Sequence, residues 1–261
     1  MEHIEIPVRH YRLWTDLDVD CIEENFEYCE QRWTLPTNQT ALVMVDVWDL
    51  HYVRSHEEIS GEITREKIVP LAQACRDTGI TVVHAPSPPI SAKFPQWTRY
   101  AGDKEFGITQ GSASSPDWPP PEFRQHKGEF AQYAKPPEAR RDEWYEQHAH
   151  KRRVVPEIEP KPDDFVIATG DQLHRLCRHR EILHLLYVGF ATNMCILYRD
   201  YGTRAMEQRG YNIILLRDCT QAIEAHHTFK EGWLTQAAIL EIEMQVGSSS
   251  TSEDVIAACR T

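Results

Sequence analysis

The stretch ILHLLYVGFATNMCILYRDYG, residues 182–202, contains the clearest fold signal in the chain. Its first nine residues are almost continuously apolar and β-forming, which predicts a buried strand over 182–190. A helical pattern follows at once, and buried strands that alternate with helices are typical of a parallel sheet covered on both faces. Cys195 lies between this strand and helix. We therefore expect Cys195 at the carboxyl edge of the sheet, where open α/β domains place their sites.

The same alternation extends to both sides of this stretch. It predicts a doubly wound, mostly parallel six-stranded α/β sheet with helices on both faces. The predicted strands are 41–47, 80–86, 164–169, 182–190, 211–218 and EIEMQVGS at 241–248. A helix near 227–240 precedes the last of them, and TSEDVIAACR forms a closing helix with a Ser/Thr cap.

The chain divides into a main domain at 41–261, an N-terminal extension at 1–40 and an insertion at 86–163. The insertion stands out because 13 of the 16 prolines fall between residues 86 and 162. Its tryptophans need somewhere to be buried, which favours an ordered segment over a disordered one. Long ordered insertions often line or cover a site, so we expect this one to do so.

Composition narrows the class of partner. The 261 residues are 41% hydrophobic and carry a formal charge of −12, which argues against nucleic acid and acidic membrane surfaces. No window reaches 18 apolar residues and the N-terminus lacks signal-peptide regions, so a cytoplasmic protein with a small-molecule substrate is expected. Seven cysteines without CxxC spacing suit reduced thiols.

Two strand ends carry groups with chemical potential. Asp46 closes the strand at 41–47, and Cys195 begins the helix after 182–190. A thiol at a helix N-terminus is biased towards thiolate, and the free amides there can hold a developing oxyanion. The alternative for an isolated cysteine after a strand is a small buried core residue.

The segments ALVMVDVWD and YVGFATNMCILYRDYGTRAMEQRGYNIILLRDCTQA resemble the isochorismatase-like cysteine hydrolases. The resemblance covers residues 41–85 and 164–261. It implies hydrolysis of a small amide, ureido or carbamoyl compound through a Cys, Asp and Lys triad, with Cys195 as nucleophile and Asp46 as general base. It also implies a cis peptide between Phe190 and Ala191, which turns loop amides towards the substrate oxygen, and supporting roles for Thr192 and Asn193. Family members are usually dimers or tetramers, so a homo-oligomer is expected.

The triad lysine of the family is missing from this chain. Thr169 stands where the resemblance places it. A cation that stabilises developing charge would then have to come from elsewhere, and the available basic residues are Lys127, Lys135, Lys151, Arg153 and Lys161. A degenerate family member that serves as a binding or scaffold protein is the alternative. A flavodoxin-like redox protein is disfavoured because no Gly-rich phosphate loop follows the first strand.

A metal site and the pocket walls are the remaining questions. Nicotinamidases of this family use an Asp, His, His site, and Asp49, His51 and His84, with His56 nearby, are weak candidates for Zn²⁺ or Fe²⁺. The matching Asp-x-His after the second strand is absent, so we expect no cofactor. Pocket candidates are Trp48, Asp49, His84 and Asn193, of which Trp48 could stack on a planar substrate.

Overall fold

The structure is a computed structural model that describes residues 2–99 and 118–261. Residues 100–117 of the predicted insertion lie outside this part. In the described part, no helix combines the length and apolar character needed to cross a membrane.

The predicted doubly wound α/β fold is confirmed, with eight strands in the sheet instead of six. The order across the sheet is β2-β1-β8-β7-β6-β3-β4-β5. The strands are β1 (His3–Arg12), β2 (Glu27–Pro36), β3 (Thr40–Val45), β4 (Thr81–Ala85), β5 (Phe165–Val166), β6 (His184–Phe190), β7 (Asn212–Gln221) and β8 (Ser248–Ser250). The two additional strands, β1 and β2, come from residues 1–40 and form an antiparallel hairpin at one edge, whereas β3 to β8 pair in parallel.

Burial explains the apolar runs in the sequence. Every residue of β3 and of β4 is buried, as expected for central strands of a sheet that is covered on both faces. Alternate side chains of β3 enter two separate core clusters, with Leu42 in one and Val43 in the other. The sheet therefore divides the interior into two apolar layers.

Helices cover both layers. They are α1 (Arg54–Ile63), α2 (Val69–Thr78), α3 (Pro88–Ser91), α4 (Pro121–Arg124), α5 (Ala139–His148), α6 (Gly170–Arg180), α7 (Thr203–Glu207), α8 (Trp233–Gln245) and α9 (Ser252–Ala258). Two π-helical segments join them, Thr64–Ile68 before α2 and Thr192–Ile196 after β6. Thr251 caps α9 by accepting a hydrogen bond from the Asp254 amide, as the sequence predicts.

Three elements differ clearly from the prediction, and the first is the predicted strand 164–169, of which only Phe165–Val166 forms a strand. EIEMQ continues α8 because Ala238, Ile242 and Val246 are buried at a four-residue spacing, so the last strand is only Ser248–Ser250. The helix predicted after β6 is also interrupted. Gly202 lies so close to the Ile196 carbonyl that a Cβ there would approach it to 2.7 Å, and α7 begins only at Thr203.

The insertion meets the main domain beside the carboxyl end of β3. Trp48 forms an isolated antiparallel bridge with Val154, and the Val155 amide donates to the Val47 carbonyl at 3.3 Å. This pairing brings α5 and the residues after it to the edge of the sheet where Asp46 and Cys195 lie.

Candidate active site

A close approach of two strands shapes the loop that carries Cys195. Gly189 pairs with Val45 and has a φ of +116°, and a Cβ there would lie 1.9 Å from the Val45 carbonyl oxygen. Only glycine fits this position. The next peptide bond, Phe190–Ala191, is cis, at the position that the family resemblance implies. β6 therefore ends directly beside the end of β3, and Cys195 follows within the π-helical segment Thr192–Ile196.

Asp46 is buried at this edge. One of its carboxylate oxygens accepts hydrogen bonds from Arg199, and the other has no partner among the described residues. Asp46 has a positive φ of 48°, which aspartate tolerates better than most residues. Its Oδ2 accepts hydrogen bonds from Nη2 of Arg199 at 3.0 Å and from Nε at 3.3 Å. Its Oδ1 is buried and has no hydrogen-bond partner among the described residues. Burial raises the pKa of Asp46, and the Arg199 guanidinium opposes that rise.

Arg199 is the cation that lies against Asp46, at a position that the sequence did not suggest. It follows Cys195 by four residues, and its pKa is raised by the nearby Asp46 carboxylate. The five basic residues proposed from sequence, namely Lys127, Lys135, Lys151, Arg153 and Lys161, are all exposed. Thr169 is not at the site, because its hydroxyl caps α6 by accepting from the Gln172 amide at 3.2 Å. The four-residue spacing from the cysteine was the available signal, since residues at this spacing share a helical face.

The Cys195 thiol is protonated in the resting protein, contrary to the thiolate expected at a helix start. Burial and the Asp46 charge raise the pKa of Cys195 to about 12, against the opposing influence of Arg199 and the Ala191 amide. The short π-helical segment does not outweigh the neighbouring carboxylate. A proton acceptor is therefore needed before the sulfur can react, and Asp46 is close enough for each group to shift the pKa of the other.

A cavity of about 190 Å³ opens over these groups. Cys195, Asp46 and Arg199 line it together with six ring side chains, those of Trp48, His51, Tyr52, His56, Tyr145 and Phe190. Tyr145 comes from the predicted insertion, so this segment does contribute a wall.

Both histidines of the cavity are neutral at pH 7. Burial lowers the pKa of His51 and of His56 to about 4 in each case. Nδ1 of His51 accepts a hydrogen bond from the Val53 amide at 3.0 Å, so the ring proton of His51 lies on Nε2. Nδ1 of His56 is buried without a hydrogen-bond partner in the part of the chain described.

Of the four pocket candidates, only Trp48 lines the cavity. Asp49 is held by the Arg153 amide, which donates to Oδ1 at 2.7 Å. His84 is buried with its Nε2 at 3.0 Å from Asp164 Oδ2, which fixes it inside the sheet. The Asn193 side chain bridges the backbone of Ile223, bonding its amide and its carbonyl at 3.2 Å each. Nearby backbone or carboxylate groups occupy these three side chains, so the structure does not bring them to the cavity.

The loop residues after β6 have structural contacts. The hydroxyl of Thr192 is buried and lies 2.7 Å from that of Thr220 on β7. Ala191 lines the cavity beside Phe190. Thr192 and Asn193 therefore hold the loop against its neighbours, while Phe190 and Ala191 face the space in front of Cys195.

The weak metal candidates do not come together. Asp49, His51 and His84 each use a ligating atom in the separate hydrogen bonds given above. Among residues 2–99 and 118–261, no group of three or more His, Cys, Asp or Glu side chains could hold a metal ion. The side chains suggested by the family resemblance thus do not fit a metal in this chain.

Comparison with known proteins agrees with this architecture. A cysteine hydrolase from Pseudomonas syringae pv. phaseolicola 1448A has a TM-score of 0.56 at 17% identity, covering 88% of this chain and 96% of that one. An isochorismatase family protein from Burkholderia thailandensis has a TM-score of 0.50 at 19% identity, covering 86% and 97%. At such identities the likeness concerns the fold. No curated protein matches at the sequence level.

The decisive comparison is with models of protein families. The isochorismatase domain model matches residues 40–244, which is well over half of the chain. The match includes β3 to β7, Asp46, Cys195 and Arg199. The protein therefore belongs to the isochorismatase family.

Proposed function

We propose that the protein hydrolyses a C–N bond of a small amide, ureido or carbamoyl compound, with Cys195 as nucleophile, Asp46 as proton acceptor and Arg199 in place of the family lysine. One observation carries the proposal. Arg199 pairs with Oδ2 of Asp46 and leaves Oδ1 without a hydrogen-bond partner among the described residues, in the same cavity as the Cys195 thiol. A thiol, a carboxylate with a free oxygen and a cation that orients it are the parts that covalent acyl transfer requires.

The first half of the reaction forms an acyl-enzyme. The Cys195 sulfur attacks the carbonyl carbon while its proton passes to Asp46. The thiol, whose pKa is about 12, therefore does not have to ionise to a free thiolate first. Loop amides such as that of Ala191 hold the negative carbonyl oxygen. The tetrahedral intermediate then collapses, the C–N bond breaks, and Asp46 returns the proton to the leaving nitrogen.

Water completes the cycle. Asp46 accepts a proton from a water molecule as its oxygen attacks the thioester carbon, and the C–S bond breaks. The proton returns to sulfur, which regenerates the neutral thiol and releases the acid. Arg199 remains charged throughout, because its raised pKa keeps the guanidinium protonated. Its role is to orient Asp46 and keep the carboxylate ionised.

A panel of small amides and ureas, assayed by ammonia release, tests the proposal. Cys195→Ala should abolish turnover and Asp46→Asn should reduce it by about 10²–10⁴-fold, as for loss of a general base. Cys177→Ala is the matched control, because Cys177 is a buried core thiol that does not line the cavity. Folded Cys177→Ala protein should release ammonia at a rate close to that of the wild type.

The alternative, a binding or scaffold protein without catalysis, makes the opposite prediction. Wild-type protein would release no ammonia from any member of the panel, and Cys195→Ala would bind the same compounds as wild type. Mass spectrometry of the intact protein after mixing with substrate provides a second readout. An adduct on Cys195 that is absent in Cys195→Ala supports the acyl-enzyme.

A further inference from the structure

Three cysteines lie in one core cluster, and none of them lines the cavity. Cys75 comes from α2, Cys219 from β7, and Cys259 is the residue directly after α9. Cys75 and Cys219 are fully buried, whereas Cys259 is 8% exposed. The proposed hydrolysis uses none of these thiols, so any chemistry at the cluster is separate from it.

Cys75 and Cys259 come together where α9 packs against α2. The Thr78 hydroxyl of α2 lies beside both residues, with Oγ1 at 3.5 Å from the Cys259 sulfur and at 3.1 Å from the Cys75 carbonyl oxygen. The Cys75 thiol also forms a hydrogen bond with the Cys259 sulfur. The Cys259 sulfur is therefore next to two donor groups of α2, and one of them is a second thiol.

These contacts make Cys259 the more acidic thiol of the pair. The hydrogen bond from Cys75 lowers the pKa of Cys259 to about 7, although burial and the charge of Asp77 act against this. The same hydrogen bond raises the pKa of Cys75, together with burial and the neighbouring Cys219, while Arg76 opposes the rise. Burial also raises the pKa of Cys219. At pH 7 about half of Cys259 is thiolate, which is the nucleophilic form, while its two neighbours stay protonated.

We propose that Cys75 and Cys259 form an oxidation site, in which hydrogen peroxide oxidises Cys259 and Cys75 then closes a disulfide between α2 and α9. The Cys259 thiolate attacks one peroxide oxygen, the O–O bond breaks, and the hydroxide that leaves takes up the proton that Cys259 had released. The Cys75 sulfur then attacks the sulfenic sulfur of Cys259, the S–O bond breaks, and the hydroxyl group leaves with the Cys75 proton as water. The two thiols lose two electrons in total, and one peroxide is reduced to two waters.

The positions of the two cysteines assign their roles. Cys259 is the less buried and the more acidic thiol, so it reacts with the oxidant first. Cys75 is fully buried and protonated, so it reacts only when a sulfenic acid forms beside it. A reactive thiol next to a second cysteine that resolves it is typical of oxidation-sensitive sites.

Peroxide treatment of the full chain with Cys195→Ala tests the inference without interference from the proposed nucleophile. After equimolar hydrogen peroxide, alkylation of the remaining thiols and tryptic digestion without reductant, the peptide IVPLAQACR, residues 68–76, should be linked to the peptide of residues 231–260. Before oxidation, iodoacetamide at pH 7 should label Cys259 at least about tenfold faster than Cys177, a buried thiol with a pKa of about 12.

Two further variants test the roles of the neighbours. Cys75→Ala removes the hydrogen bond that lowers the pKa of Cys259, so alkylation of Cys259 at pH 7 should slow by at least about threefold. Peroxide should then leave Cys259 as a sulfenic acid that dimedone traps. Cys219→Ala is the matched control, because it removes the third thiol of the cluster and should leave the link between Cys75 and Cys259 intact. Circular dichroism checks that each variant is folded.

Three results would overturn the inference, and none of them depends on the hydrolytic activity. The first is a Cys259 that labels no faster than Cys177. The second is a Cys75 that remains open to alkylation in denaturant after peroxide treatment of the Cys195→Ala protein. The third is a link from Cys259 to the Cys219 peptide, residues 218–230, in place of the Cys75 peptide.

Discussion

Arg199 lowers the pKa of both Asp46 and Cys195, but at each group burial acts in the opposite direction. Burial raises the pKa of Asp46, and the Arg199 guanidinium opposes that rise and so favours the carboxylate form. It also lowers the pKa of Cys195, but burial and the Asp46 charge outweigh this effect. The resting site therefore combines a neutral thiol with the paired side chains of Asp46 and Arg199. Removing Asp46 or Arg199 should therefore shift the pKa of the groups that remain, and the direction of each shift can be measured.

Asp46→Asn should make Cys195 more reactive towards an alkylating agent while reducing hydrolysis. The substitution removes the negative charge that raises the thiol pKa and leaves Arg199 free to stabilise thiolate. Each unit of fall in this pKa raises the thiolate fraction about tenfold at a pH well below it. Iodoacetamide labelling of Cys195 at pH 8, followed by peptide mass spectrometry, should therefore be at least about tenfold faster. Asp49→Asn is the control, and slower labelling in Asp46→Asn would contradict the assignment.

Arg199→Met should move the acid limb of the pH profile upwards. A carboxylate base is active above its pKa, and loss of Arg199 removes the charge that holds this pKa down. The half-maximal point of kcat/KM on the acid side should rise by about 1–3 pH units, while Arg199→Lys should stay closer to wild type. A profile that keeps its acid limb in Arg199→Met, with only a lower plateau, would show that Arg199 acts on packing and not on the base.

Sequence alone predicted that Cys195 and Asp46 lie at strand ends on the site edge of the sheet, because an almost continuously apolar strand leads into each of them. Arg199 was missed for a physical reason. The family resemblance directs attention to the third strand, and the other candidates lie in the insertion, whereas Arg199 reaches Asp46 from the helical turn that follows Cys195. The neutral state of His51 and His56 could not be predicted from the sequence either, because it results from burial in a cavity formed by distant segments.

At the level of elements, the end of β6 is the most constrained part of the site. Gly189→Ala should be severely destabilising, because the new Cβ would overlap the Val45 carbonyl and the φ of +116° disfavours side chains. We expect a loss of at least about 4 kcal/mol in the free energy of unfolding, or insoluble protein. Urea denaturation followed by tryptophan fluorescence measures it.

Gly61→Ala is the matched control for that substitution. Gly61 lies within α1, and a Cβ there would approach only the flexible end of Arg65, at 3.1 Å. Its unfolding free energy should change by no more than about 1 kcal/mol. Similar losses in both variants would mean that Gly189 does not have the special role that its geometry indicates.

The type of an element was predictable where its apolar residues follow a single period. The boundaries of an element were not predictable where a strand pattern and a helix pattern overlap. β3 and β6 are continuous apolar runs that fit only a buried strand. EIEMQVGS has strand-like alternation in its first half, but Ile242 also belongs to a helical row with Ala238 and Val246. Packing of that row against the sheet decides in favour of helix, and the sequence carries no separate signal for this choice.

At the scale of the whole molecule, the N-terminal extension was the least predictable part. The first half of β1 alternates polar residues with Ile4, Ile6 and Val8, and these three buried side chains enter the same core cluster as Val255 of α9. Nε of Arg9 on β1 also donates a hydrogen bond to Oε1 of the buried Glu243 on α8, at 2.8 Å. The hairpin is thus continuous with the domain interior. Its docking depends on long-range contacts that no local pattern reports.

This packing predicts that the extension and the main domain unfold together. Ile6 is fully buried, so Ile6→Ala should lower the free energy of unfolding by about 2–5 kcal/mol through lost burial and a residual cavity. Ile22→Ala is the control, because Ile22 is 46% exposed and should change stability by less than about 0.5 kcal/mol. Urea unfolding of Ile6→Ala, followed in parallel by tryptophan fluorescence and by alkylation of buried Cys177, should show one coincident transition at a lower midpoint. If Cys177 stayed protected after an earlier fluorescence transition, the hairpin would be an independent unit attached to a self-sufficient domain, and the continuity of the core across β1 would have no energetic weight.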